Sequence, residues 1–280
     1  MRWIEMSLLI FLISGGHIFG QTYVSGPVDR DTTWTSEHSP YIVTEDLIIT
    51  KGATLTIKPE VTIYTNNHAR IIVEGALIAI GTSKEKPDIV FSTRNHWGGI
   101  WFRPASSGII KHCFIEESGY FAIVIDRSSP SIIGNELYYN NAGIDLRLSS
   151  SLIQDNIIKG TGGGSGIFIN SSPCTLIGNT ITNHEQDRWS VGIAVGGPPL
   201  PEKMHFNNFY DNLSNIRYCI EEGDTLDARY NWWGSSDEDE IKLLFYDWGC
   251  GGVLLYKPWL ESPYTAVERT TWGEIKARYR

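Results

Sequence analysis

Ile132-Ile133-Gly134-Asn135-Glu136-Leu137 returns 21 residues later as Ile153-Gln154-Asp155-Asn156-Ile157-Ile158. The phrase is an aliphatic, two residues, Asn, one residue and an apolar residue. It recurs as Leu176-Ile177-Gly178-Asn179-Thr180-Ile181 and as Met204-His205-Phe206-Asn207-Asn208-Phe209. A last copy ends Arg229-Tyr230-Asn231-Trp232-Trp233, and an early one, Ile110-Lys111-His112-Cys113-Phe114-Ile115, carries Cys in the Asn place. The column Cys113, Asn135, Asn156, Asn179, Asn207, Asn231 is spaced by 22, 21, 23, 28 and 24 residues. A period of this size marks stacked coils.

A second column keeps the same period: Ile100, Ile123, Ile144, Ile167, Ile193 and Ile216. Short runs start at each, and Ile144-Asp145-Leu146 alternates apolar and polar, as a strand with one buried face does. Each coil therefore holds at least two short strands joined by turns rich in Gly, Asn, Ser and Pro. No helix-length amphipathic segment separates them, so a βαβ sheet fits poorly. Equivalent residues of stacked parallel strands lie about 4.8 Å apart. Asn135, Asn156, Asn179, Asn207 and Asn231 are thus expected to form a hydrogen-bonded ladder, a structural role. The inward Ile column contributes about 1.5–3 kcal/mol per buried side chain.

These patterns predict an all-β chain: a single right-handed parallel β-helix over 46–234, with a lead-in over 21–45. A cap over 235–263 is expected to start a short helix at Ser235-Ser236, with Ile241, Leu243, Leu244 and Phe245 as its apolar face. A closing strand follows. Residues 264–280 read as a linker and a basic, aromatic tail that could dock to export or surface machinery. Residues 1–20 read as an export signal, with Arg2 before the apolar run Leu8 to Ile13 and small residues near Gly20. The run is too short to span a bilayer comfortably. The expected location is outside the cell, in a periplasm or at the cell surface. There, Cys219 with Cys250 is the first disulfide to test, beside the alternative of unpaired thiols. The net charge of −9 and the lack of a long basic run argue against nucleic acid.

The stretches Ser39-Pro40-Tyr41-Ile42-Val43, Gly52-Ala53-Thr54-Leu55-Thr56-Ile57-Lys58-Pro59 and Trp97-Gly98-Gly99-Ile100-Trp101-Phe102 resemble the opening coils of right-handed β-helix repeat proteins. Asn231-Trp232-Trp233-Gly234 and Tyr256-Lys257-Pro258-Trp259-Leu260 resemble their closing module. The resemblance implies the fold of the pectate-lyase-like superfamily. That superfamily includes lyases, hydrolases, epimerases, tailspikes and adhesins, so it implies no single activity.

Arg103, Asp126 and Arg147 should stack one coil apart with alternating charge, and Asp145 lies on the same strand as Arg147. A polysaccharide lyase needs a base and cations that neutralise a uronate carboxylate, and these four residues supply both. A hydrolase needs two facing carboxylates, for which Asp126 and Asp145, or Glu116 and Glu117, are the candidates. An exposed ion-pair ladder explains the same residues. Trp101 and Phe168 share an outward column and could stack on sugar rings. The segments Thr182 to Ser190 and Gly196 to Pro201 interrupt the period, as insertions beside a binding site do. The His residues form no metal set, and the acidic run from Asp237 lacks the spacing of a calcium loop. No cofactor is expected, calcium being the one alternative. The leading expectation is a binding or structural module that engages glycans without catalysis. The competing one is a lyase or hydrolase on the Arg103–Asp126–Asp145–Arg147 face.

Overall fold

The computed structural model describes residues 20–265 other than 67, 94, 161 and 187. The export signal expected over 1–20 and the tail expected over 264–280 lie outside the described residues, apart from Gly20, Tyr264 and Thr265.

The described chain is a parallel β-solenoid whose regular coils carry three strands, one more than the two columns reveal. One coil shows the plan. Ala142–Arg147 lies on the first face, Leu152–Gln154 on the second and Ile157–Lys159 on the third. The next coil begins at Ser165–Asn170, in register with the first as Ile144↔Ile167 and Leu146↔Ile169. The second face is an eight-stranded sheet. The first and third faces merge at the N-terminal end through Tyr41–Ile49, which is long enough to pair with strands of both. Inward columns fill the interior. Ile100, Ile123, Ile144, Ile167, Ile193 and Ile216 are all fully buried, as are Ile132, Ile153 and Leu176 from the second face.

Each regular corner is built alike. One residue takes a left-handed conformation, which sharply redirects the chain, and a buried polar residue follows. At the second corner Gly134, Asp155, Gly178, Phe206 and Tyr230 turn the chain, and Asn135, Asn156, Asn179, Asn207 and Asn231 follow them. The expected ladder forms. Asn135, Asn156 and Asn179 each donate from backbone N–H and Nδ2 to the Oδ1 of the next Asn, at 2.9–3.0 Å. Nδ2 of each also donates back to the preceding coil, as Asn156 does to Ile132 O at 2.8 Å. The first corner uses Ser106, Ser128, Ser149 and Ser172 after Ala105, Arg127, Leu148 and Ser171. The third uses Ser118, Asn140, His184 and Asn212 after Glu117, Tyr139, Asn183 and Asp211.

The stack extends beyond the expected limits at both ends. Thr22–Val28 already pairs in parallel with Tyr41–Ile49, so the lead-in contributes a strand to the solenoid. After Gly234, Phe245–Asp247 stacks on Ile216–Cys219, and Val253–Leu255 pairs with Thr225–Asp227. The cap helix is Glu238–Leu243, with Asp237 rather than a serine as N-cap. Its carboxylate accepts from Asp239 and Glu240 N–H, satisfying two helix-end donors. Only Ile241 is buried within the helix; Leu243 is 83% exposed and Phe245 belongs to a strand, which corrects the expected apolar face. Cys219 and Cys250 are disulfide-bonded, while Cys113 and Cys174 are free and buried. The bond joins residues 31 apart, so a Cys219→Ser/Cys250→Ser variant is expected to lose about 2–4 kcal/mol. Thermal unfolding compared with the parent protein checks this, and an unchanged transition would refute it.

Candidate functional site

The first face and its bordering third corner carry the sequence-predicted residues. Register places Trp101, Val124, Asp145, Phe168, Ala194, Arg217 and Tyr246 in one outward column. Asp126, Arg147, Asn170, Gly196 and Cys219 form the other. The columns run as expected from Asp126 onward, whereas Arg103 follows the strand Ile100–Phe102 and pairs with no strand, and the ion pairs are not those of an alternating ladder. Asp126 bonds Arg127 at 3.0 Å, and Arg103 has no ion pair among the described residues. Arg147 turns back along its own strand to Asp145, donating from Nε at 2.9 Å and also from Nη2 to Oδ2. Residues two apart on a strand point to the same side, and that geometry favours the closer partner.

Asp145 is sealed. Its side chain has no exposure, and Oδ1 is buried without a hydrogen-bond partner among the described residues. Burial pushes its carboxyl above the usual range despite Arg147. Arg147 also reaches Tyr120, whose ring stacks on Trp101 at 6.0 Å. Arg70 covers Trp101 at 5.5 Å and is held by Asp46 at 2.5 Å. Asp46, Arg70, Trp101, Tyr120, Arg147 and Asp145 thus brace one another across the coils. A base must reach the proton it removes. Asp145 does not reach solvent in this arrangement, so of the four predicted residues Asp145 and Arg147 join this network, while Asp126 pairs with Arg127. Phe168 is half-buried in the same column. Glu116 lies on the third face, where Ser92 Oγ donates to it at 2.8 Å, away from Asp126.

The open features lie at the third corner and toward the cap. An open groove of about 390 Å³ follows successive third-corner turns and is lined by His68, His96, Ser118, Tyr139, Asn141 and Gln186, among others. Tyr139 is 56% exposed there. The long segment from Thr182 to Ser190 supplies Gln186 to this groove and Arg188 and Trp189 to a second recess. Sequence reading marked this segment as an insertion but not the residues it delivers.

The acidic run after Ser236 is engaged in the cap. Asp237 caps the helix, and Lys242 and Lys257 bond Glu238 at 2.8 and 2.6 Å. With Tyr256 they hold its carboxyl down to about 2. No group of three or more His, Cys, Asp or Glu side chains among the described residues is placed to hold a metal. No helix among the described residues is long and apolar enough to cross a membrane.

The architecture defines a right-handed parallel β-solenoid with a loop-bearing side. The family described as "Right handed beta helix region" matches residues 47–199, more than half of the chain, and the chain belongs to that family. A 73-residue segment is 36% identical to the Drosophila melanogaster protein "Protein bark beetle"; it covers 26% of this chain and 2% of that much longer protein. No solved structure gives a significant match.

Proposed function

We propose that the protein is an exported β-helix module that binds an extended glycan chain along its third corner, without catalysis. The groove from His68 to Gln186 carries the reading. It is open, lined by hydrogen-bonding side chains and one exposed phenol ring, and repeats its turns every coil. Five coil steps separate the turn of His68 from that of Gln186, about 24 Å at 4.8 Å per step. A polymer of hydroxylated rings matches that length and polarity better than a compact metabolite, which a more enclosed and apolar pocket would hold. The closed state of Asp145 supports binding over turnover. The Cys219–Cys250 disulfide supports an oxidising location. The reading calls for no cofactor.

A glycan array tests it. The protein is expected to be retained on a polysaccharide, and Tyr139→Ala with Asn141→Ala should weaken retention on the order of tenfold, about 1.4 kcal/mol. Incubation with uronate polysaccharides should yield no ultraviolet-absorbing unsaturated product. Such a product would overturn the non-catalytic reading in favour of a lyase, and absence of any retention would overturn glycan binding.

A further inference from the structure

At the C-terminal end of the first face a recess of about 320 Å³ is lined by Arg188, Trp189, Arg217, Tyr246 and Trp248. Its walls come from distant parts of the chain. Arg188 and Trp189 belong to the third-corner loop, while Tyr246 follows Arg217 in the outward column of the first face. Three large rings stand in water here: Trp189 is 59% exposed, Tyr246 53% and Trp248 52%.

Arginines cover two of the rings, and backbone hydrogen bonds hold the turn that carries the third. Arg188 lies over Trp189 at 5.0 Å and Arg217 over Tyr246 at 5.9 Å. Arg217 Nη2 donates to Ser190 O at 3.2 Å, tying the loop to the strand. Trp248 N–H donates to Tyr218 O at 3.0 Å, and Asp247 accepts from Gly249 N–H at 2.8 Å. The Cys219–Cys250 disulfide then closes the turn beside Trp248. Exposed aromatics fixed before binding lose little freedom when a ligand arrives, which favours affinity.

We infer that this recess is a binding site for a single sugar ring, gripped by Trp189 on one wall and Tyr246 and Trp248 on the other. The inference rests on the glycan reading and assigns it an end subsite, because one loop supplies both Gln186 of the groove and Trp189 of the recess. The chemistry selects the ligand. Aromatic faces take the apolar C–H face of a sugar, and guanidinium N–H groups meet its hydroxyl rim. A wholly apolar ligand would take water from the exposed Arg188 guanidinium without replacing its hydrogen bonds. A protein partner needs roughly 800 Å² on each side, far more than this recess offers. Its volume sits at the lower end of small-ligand sites, about 300–1,000 Å³.

The test is calorimetric titration of the full chain with six-unit cello-, xylo-, manno- and galacturono-oligosaccharides, followed by tryptophan emission. Trp189→Ala and Trp248→Ala change exposed side chains and are expected to leave the melting temperature in place. Each should weaken binding about tenfold, and Trp248→Phe should retain most of the affinity. Parent binding with both alanine variants within twofold of it overturns the recess and leaves the groove reading standing. No binding of any oligosaccharide by the parent protein overturns the glycan reading and the recess with it.

Discussion

Asn179→Ala is expected to destabilise the solenoid by about 2–6 kcal/mol, among the largest single-residue effects in the chain. The figure follows from what the side chain holds. Its Oδ1 accepts from the backbone N–H of Asn156 at 3.0 Å and from Asn156 Nδ2 at 2.9 Å. Its Nδ2 donates to Ile153 O at 2.8 Å and to Asn207 Oδ1 at 2.9 Å. Truncation leaves the backbone N–H of Asn156 and the carbonyl of Ile153 without those partners, in a place that water does not reach, while Asn156 Nδ2 keeps Ile132 O. Each buried polar group left unmatched costs about 1–3 kcal/mol. Asn207 Oδ1 keeps the backbone N–H of residue 179 and loses least. The exposed Asn170, one turn away, is the control: Asn170→Ala should change stability by less than about 0.5 kcal/mol. Urea unfolding, read as a shift in midpoint at constant slope, separates the two. A loss below about 1 kcal/mol for Asn179→Ala would mean that the ladder merely accompanies the fold.

The same ladder explains why so much of the architecture was legible before any coordinates. One side chain type recurring at one period is a strong signal, and the Ile column repeats it. The other two corners obey the same rule with side chains that stand out less. Ser106, Ser128, Ser149 and Ser172 keep the period, but Ser is so common in turns that the column is easily passed over. Ser118, Asn140, His184 and Asn212 differ in type, and an elongated turn precedes the fourth coil of that set. The ion pairs escape the repeat for another reason. Stacking suggests partners in neighbouring coils, whereas Arg147 finds Asp145 two residues away on its own strand. The recess near the cap could not be read from local pattern at all. It exists because Phe245–Asp247 returns from the cap helix to stack on Ile216–Cys219, bringing Tyr246 and Trp248 to the loop that holds Trp189.

Lowering the pH from 6.5 to 4 is expected to remove about 3 kcal/mol of stability through His184 alone. His184 takes the third-corner place that Asn140 and Asn212 fill in other coils, and it is 1% exposed. Two glycines make room for its ring. A Cβ on Gly160 would lie 2.2 Å from Cε1 and Nδ1, and one on Gly166 would lie 2.8 Å from Nε2. Burial, only partly offset by the backbone of Gly164 and Ile158, pulls its pKa down to about 4 from the ordinary 6.5. The unfolded chain therefore takes up a proton at His184 below pH 6.5, while the folded chain resists it until about pH 4. Stability from the neutral ring is complete above the upper value and is lost progressively down to the lower one. Asp227 acts in a separate window. Arg229 is the first cause that holds its carboxyl at about 2, so its contribution is lost only as pH falls from 3.8 toward that value. His184→Asn isolates the effect. Asn140 Nδ2 donates to Ile115 O at 2.9 Å and Asn212 Nδ2 to Ile181 O at 3.0 Å, so an Asn at 184 has Ile158 O as its equivalent acceptor. The variant should lose most of the parent's stability slope between pH 6.5 and 4, whatever its absolute stability at neutral pH. Equal slopes in the two proteins would show that the ring is not kept neutral by its surroundings. The loop that His184 anchors also carries Gln186 and Trp189, so the same acid range should loosen the side of the solenoid proposed to hold glycan.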